Sequence, residues 1–340
     1  MSIASVYVGD GYSMRNAGWL TAVILFAAGC EQTPLTTTAT GDGQVRFAVI
    51  GDAPYQGLDF PRFRHALKEI DASTLDFVIH VGDILWFPCD EDTYQHRLDQ
   101  LQRLNHAVIY TPGDNEWADC HDRTTGSYQP LERLQVLRAT FFANPAQSLG
   151  ARPIAVVSQS QDELYTDYVE NQRWRHDDVV FSAFNMPGSW NAGSIFDGRT
   201  AADDAAAVER KEAAVAWIEQ AFSRAEDSDA TALVLATHAD MGLTAPADDP
   251  YRSSYEPVVQ RLQTLAAATS RPILLIHGDS HDLIVDQPLR HPDSGAVLSN
   301  FTRLQVMGAP DVGWVEVSID ANASAVFRFT PRHTPWWILF

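Results

Sequence analysis

The sequence predicts an α/β protein: a two-sheet β-sandwich flanked by helices, in one continuous domain. Three observations predict it. Apolar runs of strand length alternate with amphipathic helical stretches through the first half of the chain, the pattern of βαβ units. The last third changes to short strand-like runs joined by turn residues, which implies further strands. No repeat and no linker divides the chain after residue 44. Its 340 residues can bury one substantial core, or at most two smaller ones.

The first strand is read in Phe47-Ala-Val-Ile-Gly-Asp52, an apolar run of the kind that is buried on both faces. A helix follows over 61–72, where Phe63, Leu67 and Ile70 recur at helical spacing. Val78-Ile-His-Val-Gly-Asp83 gives the second strand, and Leu98, Leu101 and Leu104 place a helix near 91–105. The third pair is Val108-Ile-Tyr-Thr-Pro-Gly-Asp-Asn-Glu116 and a helix near 130–143 with Leu131, Leu134, Leu137 and Phe141. Val179 to Phe184 reads as a mid-chain strand. The clearest helix spans 203–223, with Ala214, Trp217, Ile218, Ala221 and Phe222 on one face. Leu233-Val-Leu-Ala-Thr-His238 is a strand, 254–268 a helix through Val258, Leu262 and Leu265, and Ile273-Leu-Leu-Ile-His-Gly-Asp-Ser-His281 another strand. Short strands are expected at 283–286, 302–307, 314–319 and 325–330. The apolar end Trp336-Trp-Ile-Leu-Phe340 is expected to dock on the body, since exposed it would favour association.

The net charge is −20, and the segment before Cys30 contributes nothing to it, because Asp10 and Arg15 cancel. Such acidity disfavours tight binding to DNA, RNA or anionic lipid unless a basic patch or metal supplies positive charge. No nucleic-acid partner is expected. Residues 15–30 run from Arg15 through an apolar stretch to Ala-Ala-Gly-Cys30, the shape of a secretory signal and too short to span a membrane. This end resembles a bacterial lipoprotein signal, with Cys30 the lipidated residue and Met14 a candidate start. The alternative is a buried core helix, but the Thr- and Gly-rich stretch from Gln32 to Gly43 reads as a tether. The expected division is a signal over 1–29, a tether over 30–44 and the folded domain over 45–340. Membrane contact would then come only through the lipid anchor, and the location would be the bacterial cell envelope.

Cys89 and Cys120 each lie six residues beyond a strand-end aspartate, Asp83 and Asp114. Neighbouring strands would bring the two thiols level, and an exported protein permits a disulfide there. Two buried free thiols are the alternative.

Five strand ends offer Asp, Asn or His, most of them beside a glycine that lets the chain turn close to a ligand. Ligands gather at the carboxyl ends of strands in layered α/β folds. Each segment alone could be a turn or a helix cap. Five in order point to metal, because hydrolytic two-metal chemistry needs carboxylates and imidazoles on rigid supports.

The series resembles the motifs of the calcineurin-like metallophosphoesterases, the superfamily that includes purple acid phosphatases, over roughly residues 45–330. The resemblance implies two divalent or trivalent ions. It makes Asp52 a ligand of metal one and Asp83 the bridging carboxylate. Asp114, His238 and Asp279 become ligands of metal two, and His281 a second ligand of metal one. Four positions depart from the family pattern. Pro54 stands where the first motif has a His. Purple acid phosphatases use a Tyr three residues after the bridging Asp, and that position here is Trp86. Tyr55 is near enough to substitute, though neighbours on a strand point to opposite faces. Asp114 and Asp279 replace neutral ligands, giving an oxygen-rich set that suits Mn²⁺ or Ca²⁺, with Fe and Zn also open. Asn115 takes the place of a His that assists the leaving group, and an amide cannot transfer a proton at neutral pH. His121 is the first candidate for that proton, with His80 and His277 behind it; for the last two a structural role is the competing reading.

The resemblance implies hydrolysis of small phosphomonoesters, with phosphodiesters or nucleotides as the alternative, and a metal- or ligand-binding relative without turnover as another. Asn185-Met-Pro-Gly-Ser189-Trp-Asn191 reads as a turn or as a source of hydrogen bonds at the pocket edge. Arg173, Arg175 and His176 could receive a phosphate or lie on a solvated face.

Overall fold

A computed structural model describes residues 44–335, which fall within one compact unit. The signal segment, Cys30, the tether to residue 43 and the Trp336–Phe340 end lie outside the described residues. Twelve strands form two sheets: β1 Val45–Ile50, β2 Phe77–His80, β3 Ala107–Tyr110, β4 Val157–Ser158, β5 Gln172–His176, β6 Val179–Ala183, β7 Ala232–Ala236, β8 Ile273–His277, β9 Ile284–Asp286, β10 Phe301–Gln305, β11 Gly313–Ile319 and β12 Phe327–His333. One sheet runs β12-β11-β1-β2-β3 and the other β4-β5-β6-β7-β8-β10-β9.

The sheets pack face to face. Phe47, Phe77 and Val315 of the first sheet share one core with Phe181, Val234, Leu274 and Leu304 of the second. Phe77 stands edge-on to Phe181 at 5.0 Å between ring centroids, a favoured aromatic geometry. Helices Asp59–Ala72, Glu91–Gln102 and Pro130–Phe141 cover the outer face of the first sheet through Phe63, Ile70, Leu101 and Leu137. Helices Ala201–Asp227 and Glu256–Ala267 cover the second through Trp217, Ile218, Val258 and Leu262. Helix, sheet, sheet, helix is the layering the sequence predicts. All five apolar runs are strands, and the predicted helices are present with ends shifted by a few residues.

Strands β1, β2 and β3 are parallel, and so are β6, β7, β8 and β10. Their carboxyl ends therefore open on one edge of the sandwich, where the five motifs meet. Two elements depart from expectation. Strands β4 and β5 extend the second sheet across a stretch with no apolar run. The turn Gly188–Ala192 is left-handed: Ser189, Trp190, Asn191 and Ala192 have φ of 47°, 55°, 58° and 56°. Consecutive left-handed residues other than glycine cost roughly 1–2 kcal/mol each, so the surroundings must hold them.

Candidate metal centre

The site begins with backbone. Asp52, Asp83, Asp279 and His281 follow β1, β2 and β8 with φ of 51°, 55°, 76° and 64°. Sparsely populated backbone held in place by its surroundings marks functional sites. Here the left-handed turn swings each side chain off its strand toward the same point. Asp52, Asp83 and His281 form one group whose ligand atoms lie within 4.8 Å of one another, and Asp83, Asp114 and His238 form a second. Asp83 belongs to both. Asp279 stands beside the second group, its Oδ1 3.9 Å from His238 Nε2.

Each carboxylate is aimed by hydrogen bonds. Asp83 Oδ2 accepts from Tyr55 Oη at 2.8 Å and Asn115 Nδ2 at 2.6 Å, while Oδ1 accepts from the Asn115 amide at 3.1 Å. Asp52 Oδ1 accepts from the Asp279 amide at 2.9 Å, Asp114 Oδ2 from Ser189 Oγ at 2.8 Å, and Asp279 Oδ2 from Tyr251 Oη at 2.7 Å. Glu116 ties the loops together, accepting from the Ile84 amide at 2.7 Å and the Gly113 amide at 3.0 Å. Several glycines are needed for clearance. A Cβ on Gly113 would run into Asp83, and one on Gly188 would fall 2.6 Å from Asp279 Oδ1 and 2.8 Å from Asp114 Oδ2.

The imidazoles are fixed in the same way. His238 Nδ1 lies 2.7 Å from the Val81 carbonyl and His281 Nδ1 2.7 Å from the Ala309 carbonyl. A carbonyl only accepts, so each Nδ1 carries the hydrogen and each Nε2 faces the carboxylates, the tautomer of a metal-bound histidine. His238 Nε2 is 2.9 Å from Asp114 Oδ1 and 3.4 Å from Asp83 Oδ1.

This arrangement fits a cation. Asp52 Oδ2 is buried with no hydrogen-bond partner, and buried Asp114 Oδ1 and His238 Nε2 face each other with a bond only if His238 is protonated; such groups are costly unless something pairs with them. A neutral His238 would aim its lone pair at carboxylate oxygens. Burial pulls His238 down, yet the charges of Asp83 and Asp114 hold it well above the usual imidazole range. Burial likewise raises Asp83 and Asp279, and pushes Asp52 up to about 6 against the pull of His238 and His281. Among the described residues no Lys or Arg pairs with these carboxylates. Positive charge must come as protons or as metal, and the oxygen-rich donors suit hard or borderline ions.

The six predicted ligands come together, and Asn115 reaches the site with both its amides on Asp83. His121 turns away: its Nδ1 donates to the Ala118 carbonyl at 2.8 Å and its ring lies 4.8 Å from that of Phe196. His80 and His277 are buried structural residues, lowered by burial to about 3 and about 4; His80 Nδ1 accepts from the Gly82 amide at 3.2 Å. Arg173, Arg175 and His176 belong to β5 and serve structure. Arg173 lies 4.2 Å over Trp217, Arg175 bonds Asp178 at 2.8 Å, and His176 faces Asp76 at 3.3 Å. The turn after Asn185 supplies the site with Ser189.

Tyr55 takes the place that Pro54 leaves empty of a donor. Its Oη lies 2.8 Å from Asp83 Oδ2 and 3.1 Å from His281 Nε2. A single phenolic hydrogen cannot serve both acceptors, which again calls for a cation. The objection that neighbours on a strand diverge does not apply, because β1 ends at Ile50 and Asp52 is already left-handed. Ser189 also lies 2.8 Å from Asp119 Oδ2. Burial, then the charge of Asp114, pushes Asp119 up to about 7. A protonated Asp119 donates to Ser189, which donates to Asp114. The disulfide expected between Cys89 and Cys120 is present, joining the loops beyond Asp83 and Asp114.

No family model matches the sequence, and no curated protein does. By structure the chain is similar to a dimetal phosphatase from Danio rerio, with 12% identity and a TM-score of 0.51 over 86% of this chain and 96% of that one. It is also similar to PhoD, with 11% identity and a TM-score of 0.52 over 89% of this chain and 72% of that one. The described chain has the two-sheet fold of the calcineurin-like metallophosphoesterases.

Proposed function

We propose that, with this fold as its frame, the protein is a metal-dependent phosphoester hydrolase acting first on small phosphomonoesters. The observation that carries the reading is the pair of ligand groups sharing Asp83, with both imidazoles fixed Nε2-inward. The structural similarity to a dimetal phosphatase supports it. Two bound ions would supply Lewis-acid polarisation of phosphoryl oxygens and a water nucleophilic at neutral pH.

The chain's own residues do the positioning. Asp52 and His281, with Tyr55, would hold one ion; Asp114, His238 and Asp279 would hold the other; Asp83 would serve both. Asn115 fixes Asp83 from two directions and offers no acidic proton at neutral pH. His121 is turned to the Ala118 carbonyl, so the departing oxygen would take its proton from solvent or from a raised carboxyl such as Asp119. That same observation favours a second reading, metal or ligand binding without turnover.

Export to an oxidising compartment of a bacterial envelope, with a lipid anchor at Cys30, is proposed alongside. The Cys89–Cys120 disulfide supports an oxidising compartment. Metal analysis of the purified protein, paired with turnover of monoesters, diesters and nucleotides across Mn²⁺, Fe, Zn²⁺ and Ca²⁺, tests both readings. Bound metal with no turnover of any ester would leave only the binding role. Protein that holds no ion would remove the hydrolase and the metal-binding role, leaving only binding of another ligand.

A further inference from the structure

Beside the first ligand group lies a cleft of about 700 Å³ that includes Tyr55 and His281 in its wall. A volume of this size suits a small organic molecule. Its floor and sides are Leu58, Trp86, Phe87 and Pro310. Leu58, Trp86 and Phe87 are 64%, 46% and 47% exposed, an apolar patch held in water at the mouth of a polar site. Trp86 is set against Tyr55, with 5.3 Å between ring centroids and 63° between planes. The phenol that reaches the metal position is thus also part of the cleft.

The charges of the cleft narrow its occupant. Its one carboxylate among the described residues, Asp59, is buried and already accepts the Gln56 amide at 3.1 Å. Among the described residues its walls hold no Lys or Arg. An anionic group, such as further phosphates, would enter without a partner on a protein of net charge −20. A flat uncharged ring would instead meet Trp86 and Phe87 in the geometry aromatic pairs prefer.

We infer that this cleft receives the leaving group, and that the preferred substrates are phosphomonoesters of uncharged aromatic alcohols. The inference rests on the phosphoesterase reading. It also agrees with the want of an acid at Asn115. In the reaction, water forms the new bond to phosphorus and the bond from phosphorus to the aryl oxygen breaks. The electron pair departs on that oxygen as an aryloxide, which the solvent protonates, and the water proton is lost to solvent. An aryloxide bears that charge better than an alkoxide, so it departs without a donor beside it.

The test pairs turnover with binding. Metal-loaded protein is assayed with phenyl phosphate and 2-naphthyl phosphate, whose leaving groups are similarly acidic but differ by one ring. The natural protein should favour the naphthyl ester in kcat/KM by about tenfold, from the extra apolar area buried. Trp86→Ala should erase that preference and Trp86→Phe should keep most of it. Binding of 2-naphthol to chelator-treated protein, followed by tryptophan fluorescence and repeated in Phe87→Ala, reads the cleft without chemistry. Its affinity should fall by about tenfold in Phe87→Ala. Equal kcat/KM for the two esters, with Trp86→Ala changing neither, would overturn the inference while leaving the hydrolase intact. Naphthol binding that depends on Phe87, in a protein with no turnover, would overturn the phosphoesterase reading and the leaving-group role with it.

Discussion

His238 and His281 make the same hydrogen bond, from Nδ1 to a backbone carbonyl, and present the same atom to the centre. Their surroundings differ. The side chain of His238 is 0% exposed, and the carboxylates beside it are fastened by Ser189 and Tyr251. The side chain of His281 is 32% exposed and borders the cleft of Trp86 and Phe87. One half of the centre is sealed and rich in carboxylates; the other is open and depends on a phenol. Affinity for an ion should follow the sealed half, and access for water and substrate the open one.

Asp83 is where the two halves join, so its loss should have the largest effect. Asp83→Ala should lower kcat by on the order of 10³-fold or more and remove both ions, since each Lewis acid contributes several kcal/mol. A folded Asp83→Ala protein with two ions and normal turnover would break the comparison at its root. The Cys89–Cys120 bond, closing a separation of 31 residues, should contribute about 3.7 kcal/mol in the chain-entropy model. Reduction should therefore lower the melting temperature and leave the metal content unchanged. Metal lost on mild reduction would make the disulfide part of the sealed half rather than a clasp outside it.

Tyr55→Phe separates the halves. It should cost about 10–100-fold in affinity at the open position only. Graded chelation of the natural protein should then remove the ions in two steps, the first of them moved by Tyr55→Phe. A single step in both proteins would show that the halves are equal. Asn115→His should act more weakly, reducing the disadvantage of alkyl against aryl phosphates by up to about tenfold. No change in that ratio would mean that position 115 only orients Asp83.

An effect on stability alone, not on turnover, is expected beneath the sealed half. His80 is kept neutral by burial, with its value lowered from 6.5 to about 3. Between those values the unfolded chain binds a proton that the folded chain does not, so stability falls as pH falls. Each unit below 6.5 should remove about 1.4 kcal/mol, an effect absent at higher pH. His80→Asn keeps an acceptor for the Gly82 amide and should flatten the acid limb of a denaturation profile by one proton. An unaltered slope would assign acid sensitivity to the carboxylates instead.

The sheets were legible because their strands are continuous apolar runs, and the ligands because each follows such a run directly. Strand β5 was not, since its buried residues Gln172, Trp174 and His176 include polar groups and alternate with arginines engaged with Gln220 and Asp178. Tyr55 was legible as a substitute, but against a rule of alternation that holds only while the chain stays extended. Ser189 and Tyr251 join Asp114 and Asp279 across 75 and 28 residues, contacts that no local pattern encodes. His121 looked available because its neighbours in sequence gave no sign of the Phe196 ring that covers it.

The left-handed run from Ser189 to Ala192 sets a limit on making this protein hardier. Its backbone energy could be lowered by glycine, which accepts positive φ freely. Yet Ser189 holds Asp114, Trp190 packs near Tyr251, and the Asn191 side chain accepts from Arg210. Heat resistance gained by relaxing that turn would come from the residues that aim the centre. Selection for thermal endurance and selection for turnover should therefore pull this turn in opposite directions.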